Sequence, residues 1–128
     1  MELNSQPLIA ILDDEVNVRK ILTEDFQRQG WLVFSGSDKA EFLESLGRIN
    51  PDVIISDVYS HPLNGVDFLE IIKSNPRYRS IPVIFFTGLW SARLNLYLKG
   101  AYAVLTKPNG TEKIMSCVSQ ALNHFCTS

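Results

Sequence analysis

Short apolar runs rich in β-branched residues alternate along this chain with segments whose apolar residues recur at helical spacing. The runs that predict strands cover residues 8–12, 31–34, 53–56, 83–87 and 103–106. Such alternation is typical of an α/β fold in which helices cover a parallel sheet. Right-handed crossovers then give a single three-layer α/β/α domain, with a five-stranded parallel sheet of order 2-1-3-4-5 and five helices.

Four helical segments separate the strands, and a fifth closes the chain. We predict the first over residues 16–29, the second from the cap Asp38, and the third from about Gly65 to just before Asn75-Pro76. The fourth is expected near residues 91–99 and the last after a Thr111 cap. The first helix should bury one apolar stripe, made of Val18, Ile21, Leu22 and Phe26.

Length and charge limit the possible classes of protein. The chain has 128 residues, 45% of them hydrophobic, which suits one domain over residues 1–128 with a core of about 7–126 and leaves no room for an output domain. A net charge of -2 gives no positive field for direct nucleic-acid binding. The apolar runs are too short to cross a membrane and the start is polar, so we expect a cytoplasmic location.

Acidic residues follow two of the predicted strands directly. Asp13 and Asp14 come after strand 1, and Asp57 comes after strand 3. If those strands are neighbours, the three carboxylates meet at one edge of the sheet, where they repel one another unless a cation is bound. An oxygen-only ligand set suits a hard divalent ion such as Mg²⁺.

Two more polar residues lie at the ends of the last strands. Thr87 ends strand 4 and Lys107 follows strand 5. A hydroxyl, an ammonium and a metal ion placed around a carboxylate can bind the oxygens of a phosphoryl group. Asp57 would then be the nucleophile of a phosphoryl transfer, a reaction that depends mostly on positioning and charge neutralisation.

The combined pattern resembles the receiver domains of two-component response regulators over almost the whole chain. Its elements are Asp13-Asp14-Glu15, Asp57, Thr87-Gly88, Gly100-Ala101 and Lys107-Pro108. The resemblance implies Mg²⁺-dependent phosphoryl transfer to Asp57 from the phosphohistidine of a histidine kinase or phosphotransfer protein. Such a domain catalyses only its own phosphorylation and dephosphorylation.

The resemblance also implies roles for individual residues. Asp14, Asp57 and the backbone carbonyl of Tyr59 would ligate Mg²⁺, and Asp13 would act largely through water. Thr87 and Lys107 would contact the phosphoryl group. Phosphorylation would switch a surface around helix 4, strand 5 and helix 5, which a downstream protein or a second copy of the chain would bind.

Some positions depart from the family pattern. Val104 stands three residues before Lys107, where receivers usually carry the tyrosine or phenylalanine of the switch, and Tyr102 is either its substitute or a surface residue. Pro62 comes one place later than usual, after the loop residue His61. Tyr59 and Leu89 are bulky and are expected to shield an acyl phosphate from water. The apolar fourth helix, with Trp90 and Leu98, indicates either a partner surface or local packing.

Three other functions fit parts of the pattern. A degenerate receiver would signal by protein contact without phosphorylation, and the missing aromatic residue is its only support. A flavin-binding protein of the same fold needs a phosphate-binding loop after strand 1, where the acidic residues would repel a cofactor phosphate. An aspartyl phosphatase would show two aspartates separated by one residue there, whereas Asp13 and Asp14 are adjacent.

Overall fold

Strands and helices alternate in the computed structural model, which describes residues 6–59, 63–87, 93–106 and 111–126. The elements are β1 (Leu8–Leu12), α1 (Val16–Arg28), β2 (Leu32–Gly36), α2 (Lys39–Ile49), β3 (Val53–Ser56), α3 (Gly65–Ser74), β4 (Val83–Thr87), α4 (Arg93–Leu98), β5 (Ala103–Thr106) and α5 (Thr111–Cys126). The strands form one parallel sheet of order β2-β1-β3-β4-β5. The predicted fold and strand order are confirmed.

A hydrophobic core covers each face of the sheet, as expected for three layers. On one face, Ala10 and Leu12 of β1 pack with Phe42 of α2, Phe68 of α3 and Leu96 of α4. On the other face, Ile9 and Ile11 pack with residues of α1 and α5: Leu22, Phe26, Ile114 and Val118. Successive β1 residues therefore serve opposite cores, so that β1 and β3 are almost wholly apolar.

The structure corrects two details around α1. Ile21 is 50% exposed, whereas Leu22 and Phe26 are buried. One helical step of about 100° separates residues 21 and 22, and it turns Ile21 out of the stripe. Strand β2 begins at Leu32 because the N–H of Trp31 donates to the carbonyl of Phe26 at 3.2 Å, which adds Trp31 to the closing turn of α1.

The predicted start of α2 and the predicted end of α3 are confirmed. The Asp38 carboxylate accepts hydrogen bonds from the N–H groups of Ala40 and Glu41, which caps α2. Helix α3 ends at Ser74, before the Asn75-Pro76 pair. Both helices start at the carboxyl-end edge of the sheet, so that their first turns face the acidic residues after β1 and β3.

Helix α4 is linked to the outermost strand by a side chain. The Tyr97 hydroxyl accepts a hydrogen bond from the backbone N–H of Val104 in β5 at 3.0 Å. The Val104 side chain is buried, whereas Tyr102 precedes β5 and is exposed. Residue 104 is therefore held by α4 through its backbone.

In the described part of the chain, no helix combines the length and apolarity needed to cross a bilayer.

Candidate functional site

Backbone hydrogen bonds fix the two buried aspartates where their strands end. The N–H of Asp13 donates to the carbonyl of Gly36 at 3.1 Å, which extends the β1-β2 pairing by one residue. The N–H of Asp57 donates to the carbonyl of Leu12 at 3.0 Å and ties the end of β3 to β1. Asp13 is only 3% exposed and Asp57 6%. The sheet itself therefore places both carboxylates at one edge.

Asp14 joins these two residues and completes an acidic cluster. One carboxylate oxygen from each of Asp13, Asp14 and Asp57 lies within 4.8 Å of the others. Asp14 is exposed, so the cluster is open to solvent on one side. The N–H of Asp14 donates to Oδ2 of Asp57 at 3.3 Å, and the N–H of Glu15 donates to Oδ1 of Asp13 at 2.9 Å. These oxygen donors fit a hard divalent ion that keeps some of its water, as Mg²⁺ does.

A lysine that the sequence analysis overlooked reaches the same site. The ammonium of Lys39, the first residue of α2, lies 2.7 Å from Oδ1 of Asp57. Both side chains are almost completely buried. The sequence indicates only that Lys39 follows the Asp38 cap in the first turn of α2; its contact with Asp57, 18 positions away, depends on how that helix packs against the sheet.

The remaining predicted site residues are less fully defined. Thr87 is buried at the end of β4, the strand next to β3, where the phosphoryl-binding hydroxyl was predicted. Tyr59 follows Asp57 by two residues, and its side chain is exposed. Several predicted features lie outside the described residues: His61, Pro62, Gly88, Leu89, Trp90, Lys107 and Pro108.

The chain after Asp57 packs tightly against the start of α3. The Ser56 hydroxyl donates to the carbonyl of Asp57 at 2.7 Å, and the N–H of Gly65 donates to the carbonyl of Val58 at the same distance. A Cβ atom on Gly65 would lie 3.0 Å from Cα of Val58 and 2.8 Å from a ring carbon of Phe85. The absence of a side chain at residue 65 therefore lets α3 begin directly beside the acidic cluster.

Comparison with known sequences identifies relatives of the chain. The sequence model of one protein family, the response regulator receiver domain, matches residues 9–119 of this chain. The DNA-binding transcriptional regulator NtrC of Proteus hauseri is 29% identical over 117 residues, which are 90% of this chain and 24% of NtrC. Response regulator Rre1 of Synechocystis is 27% identical over 117 residues, 89% of this chain and 51% of Rre1. The chain thus spans about a quarter to a half of the length of these relatives.

Solved structures show the same fold. The receiver domain of a signal transduction histidine kinase from Syntrophus aciditrophicus has a TM-score of 0.85 and 27% identity, with 92% of this chain and 91% of that one covered. Chemotaxis response regulator CheY4 of Vibrio cholerae has a TM-score of 0.84 and 24% identity, with 91% and 99% covered. The matched range, residues 9–119, spans most of the chain. This chain therefore belongs to the response regulator receiver domain family of two-component systems.

Proposed function

We propose that Asp57 is the phosphoacceptor of this domain and that the donor is the phosphohistidine of a histidine kinase or phosphotransfer protein. The observation that carries the proposal is the cluster of Asp13, Asp14 and Asp57, whose carboxylate oxygens approach within 4.8 Å. Three acidic groups in such a space repel one another, and the fold of the sheet alone does not require them. A cation-dependent reaction at Asp57 would account for the presence of these three carboxylates.

Mg²⁺ would be held by Asp14, Asp57 and the backbone carbonyl of Tyr59, with Asp13 acting largely through water. When bound, the ion would offset the repulsion between the Asp57 carboxylate and the incoming phosphoryl group. The described oxygen ligands suit this ion, and the exposed Asp14 leaves a path for it to enter from solvent.

The protein's own groups would carry the transfer. A carboxylate oxygen of Asp57 attacks phosphorus, the bond from phosphorus to the histidine nitrogen breaks, and an acyl phosphate forms on Asp57. The Thr87 hydroxyl would donate a hydrogen bond to a phosphoryl oxygen, and the Lys107 ammonium would pair with another. The domain is then a signalling switch that catalyses only its own phosphorylation and dephosphorylation.

The phosphoryl group would act on the surface of α4, β5 and α5. It adds close to two negative charges and biases an equilibrium between two arrangements of the domain. A nearly complete switch needs a preference of roughly 5 kcal/mol, and Val104 in place of an aromatic residue favours a smaller shift. Tyr97, Leu98 and Tyr102 are exposed on this side, which supports it as the surface that a downstream protein or a second copy of the chain would bind. We expect this association to take place in the cytoplasm.

Acetyl phosphate and Mg²⁺ provide the test, with the intact mass of the protein as the measurement. The wild-type chain is expected to gain one phosphoryl group, and Asp57→Asn is expected to gain none because it lacks the nucleophile. Asp52→Asn is the matched control: Asp52 lies just before β3, at the opposite end of that strand, where its carboxylate accepts from the N–H of Leu8. This variant should be phosphorylated like the wild type, and a chelator should abolish the gain in both.

Two results would contradict the proposal. No gain in the wild-type chain would favour a degenerate receiver that acts by protein contact alone. An equal gain in Asp57→Asn would place the phosphoryl group on another residue.

A further inference from the structure

Lys39 supplies a positive charge inside the acidic cluster. Its Nζ atom lies 2.7 Å from Oδ1 of Asp57, and the residue is 0% exposed. The other oxygen of the same carboxylate, Oδ2, accepts from the N–H of Asp14. Each oxygen of the proposed phosphoacceptor therefore has a protein donor before any metal ion binds.

Neither helix stability nor packing accounts for a lysine at this position. Lys39 is the first residue of α2, where the helix dipole opposes a positive charge. Burying an ammonium and a carboxylate costs free energy of desolvation that their attraction only partly returns. A small apolar residue after the Asp38 cap would avoid both costs, so the arrangement points to a role in the chemistry of Asp57.

The charges of the cluster indicate what that role is. Asp13, Asp14 and Asp57 bring three negative charges to within 4.8 Å of one another, and Lys39 neutralises one of them. A divalent ion that approaches Asp57 therefore meets a carboxylate that is already in contact with the Lys39 ammonium. The ammonium and the metal repel each other, and in a buried site this repulsion is weakly screened.

We propose that Lys39 is a positioning residue that acts as a resident cation on Asp57 and competes with Mg²⁺ for its carboxylate. This inference rests on the metal site of the proposed function. Lys39 orients the acceptor when the metal is absent and sets the Mg²⁺ concentration at which the metal-bound site forms. The receiver is then tuned to require more Mg²⁺ than its carboxylates alone would need.

Calorimetric titration with MgCl₂ alone, without any phosphodonor, tests the competition. Lys39→Met keeps the length of the side chain and removes its charge, so Mg²⁺ should bind at least about tenfold more tightly than to the wild type. Lys39→Gln, which is also neutral, should change the affinity in the same direction. Lys39→Arg keeps the charge and should remain within about threefold of the wild type.

Lys99→Met is the matched control for the loss of one lysine charge. Lys99, the residue directly after α4, forms a partly exposed ion pair with Glu70 of α3 at 2.6 Å. Solvent screens such a pair, so that its loss should leave the Mg²⁺ affinity unchanged. A gain equal to that of Lys39→Met would show that net charge alone determines metal binding, and would overturn the inference.

The wild-type chain gives a second measurement that does not depend on any variant folding. In a nuclear magnetic resonance titration, the side-chain nitrogen signal of Lys39 should shift as Mg²⁺ displaces its contact with Asp57, whereas that of Lys99 should not. A fixed Lys39 signal in the presence of bound Mg²⁺, or neutral Lys39 variants that bind Mg²⁺ no more tightly, would overturn the competition. If the wild type still accepts a phosphoryl group, the proposed function survives that result. Tighter Mg²⁺ binding in a chain that cannot be phosphorylated would overturn only the proposed function.

Discussion

Phe68→Ala is expected to lower the free energy of unfolding by about 4 kcal/mol, because it removes a large side chain from a closed core. Phe68 is 0% exposed on α3, and its ring centroid lies 6.1 Å from that of Phe42. The same core includes Val58 and Phe85, which flank the end of β3. Since domains of this size have free energies of unfolding of only about 5–15 kcal/mol, such a loss would remove a large part of the stability of the domain. Urea unfolding followed by circular dichroism measures the difference.

Ile71→Ala is the control for a truncation on the same helix. Ile71 is exposed on α3, so its removal leaves no cavity and should cost less than about 1 kcal/mol. Similar losses for the two variants would contradict the described orientation of α3, in which Phe68 faces the sheet and Ile71 faces solvent.

Gly65→Ala is expected to lower the free energy of unfolding by about 2 kcal/mol through overpacking. The new methyl group would lie 2.8 Å from a ring carbon of Phe85 and 3.0 Å from Cα of Val58, and the latter is backbone that cannot rotate away. The methyl group would also be 3.4 Å from the carbonyl oxygen of Asp57. Relief of these contacts must therefore move either α3 or the chain that follows the proposed phosphoacceptor. The midpoint of urea unfolding provides the measurement.

Gly47→Ala provides the opposite case within the same fold. Gly47 lies exposed within α2, and the nearest atom to an added Cβ is the Tyr78 hydroxyl at 3.0 Å, the end of a side chain that can move. Alanine favours helix over glycine by up to about 1 kcal/mol, so this variant should be as stable as the wild type or more so. A stabilised Gly65→Ala would refute the close packing described at the start of α3.

The fold could be predicted from the sequence because local patterns and global topology agree. The runs that became β1 and β3 are apolar on both faces, and parallel topology then follows from the intervening helices. The cap at Asp38 and the stop before Asn75-Pro76 depend on local backbone geometry that the residues themselves determine. The positions of Asp13 and Asp57 followed directly from the ends of the strands.

The start of β2 and the contact of Lys39 could not be predicted from the sequence, because both depend on contacts between residues that are apart in the chain. Strand β2 is an edge strand with a weak apolar pattern, and its start depended on the Trp31 hydrogen bond to Phe26. Lys39 has a neighbour 18 positions away, and a lysine on a helix is ordinarily a solvated side chain. Only the packing of α2 against the sheet shows that its ammonium reaches Asp57.

The hydrogen bond from Val104 to Tyr97 has a consequence for association between molecules. Strand β5 lies at the edge of the sheet, where an open backbone N–H can pair with a strand from another chain. The N–H of Val104 instead donates its hydrogen bond to the Tyr97 hydroxyl, so that α4 covers part of that edge. Any movement of α4 that breaks this bond would free a donor for strand addition, and the covering of the edge is therefore coupled to the position of α4.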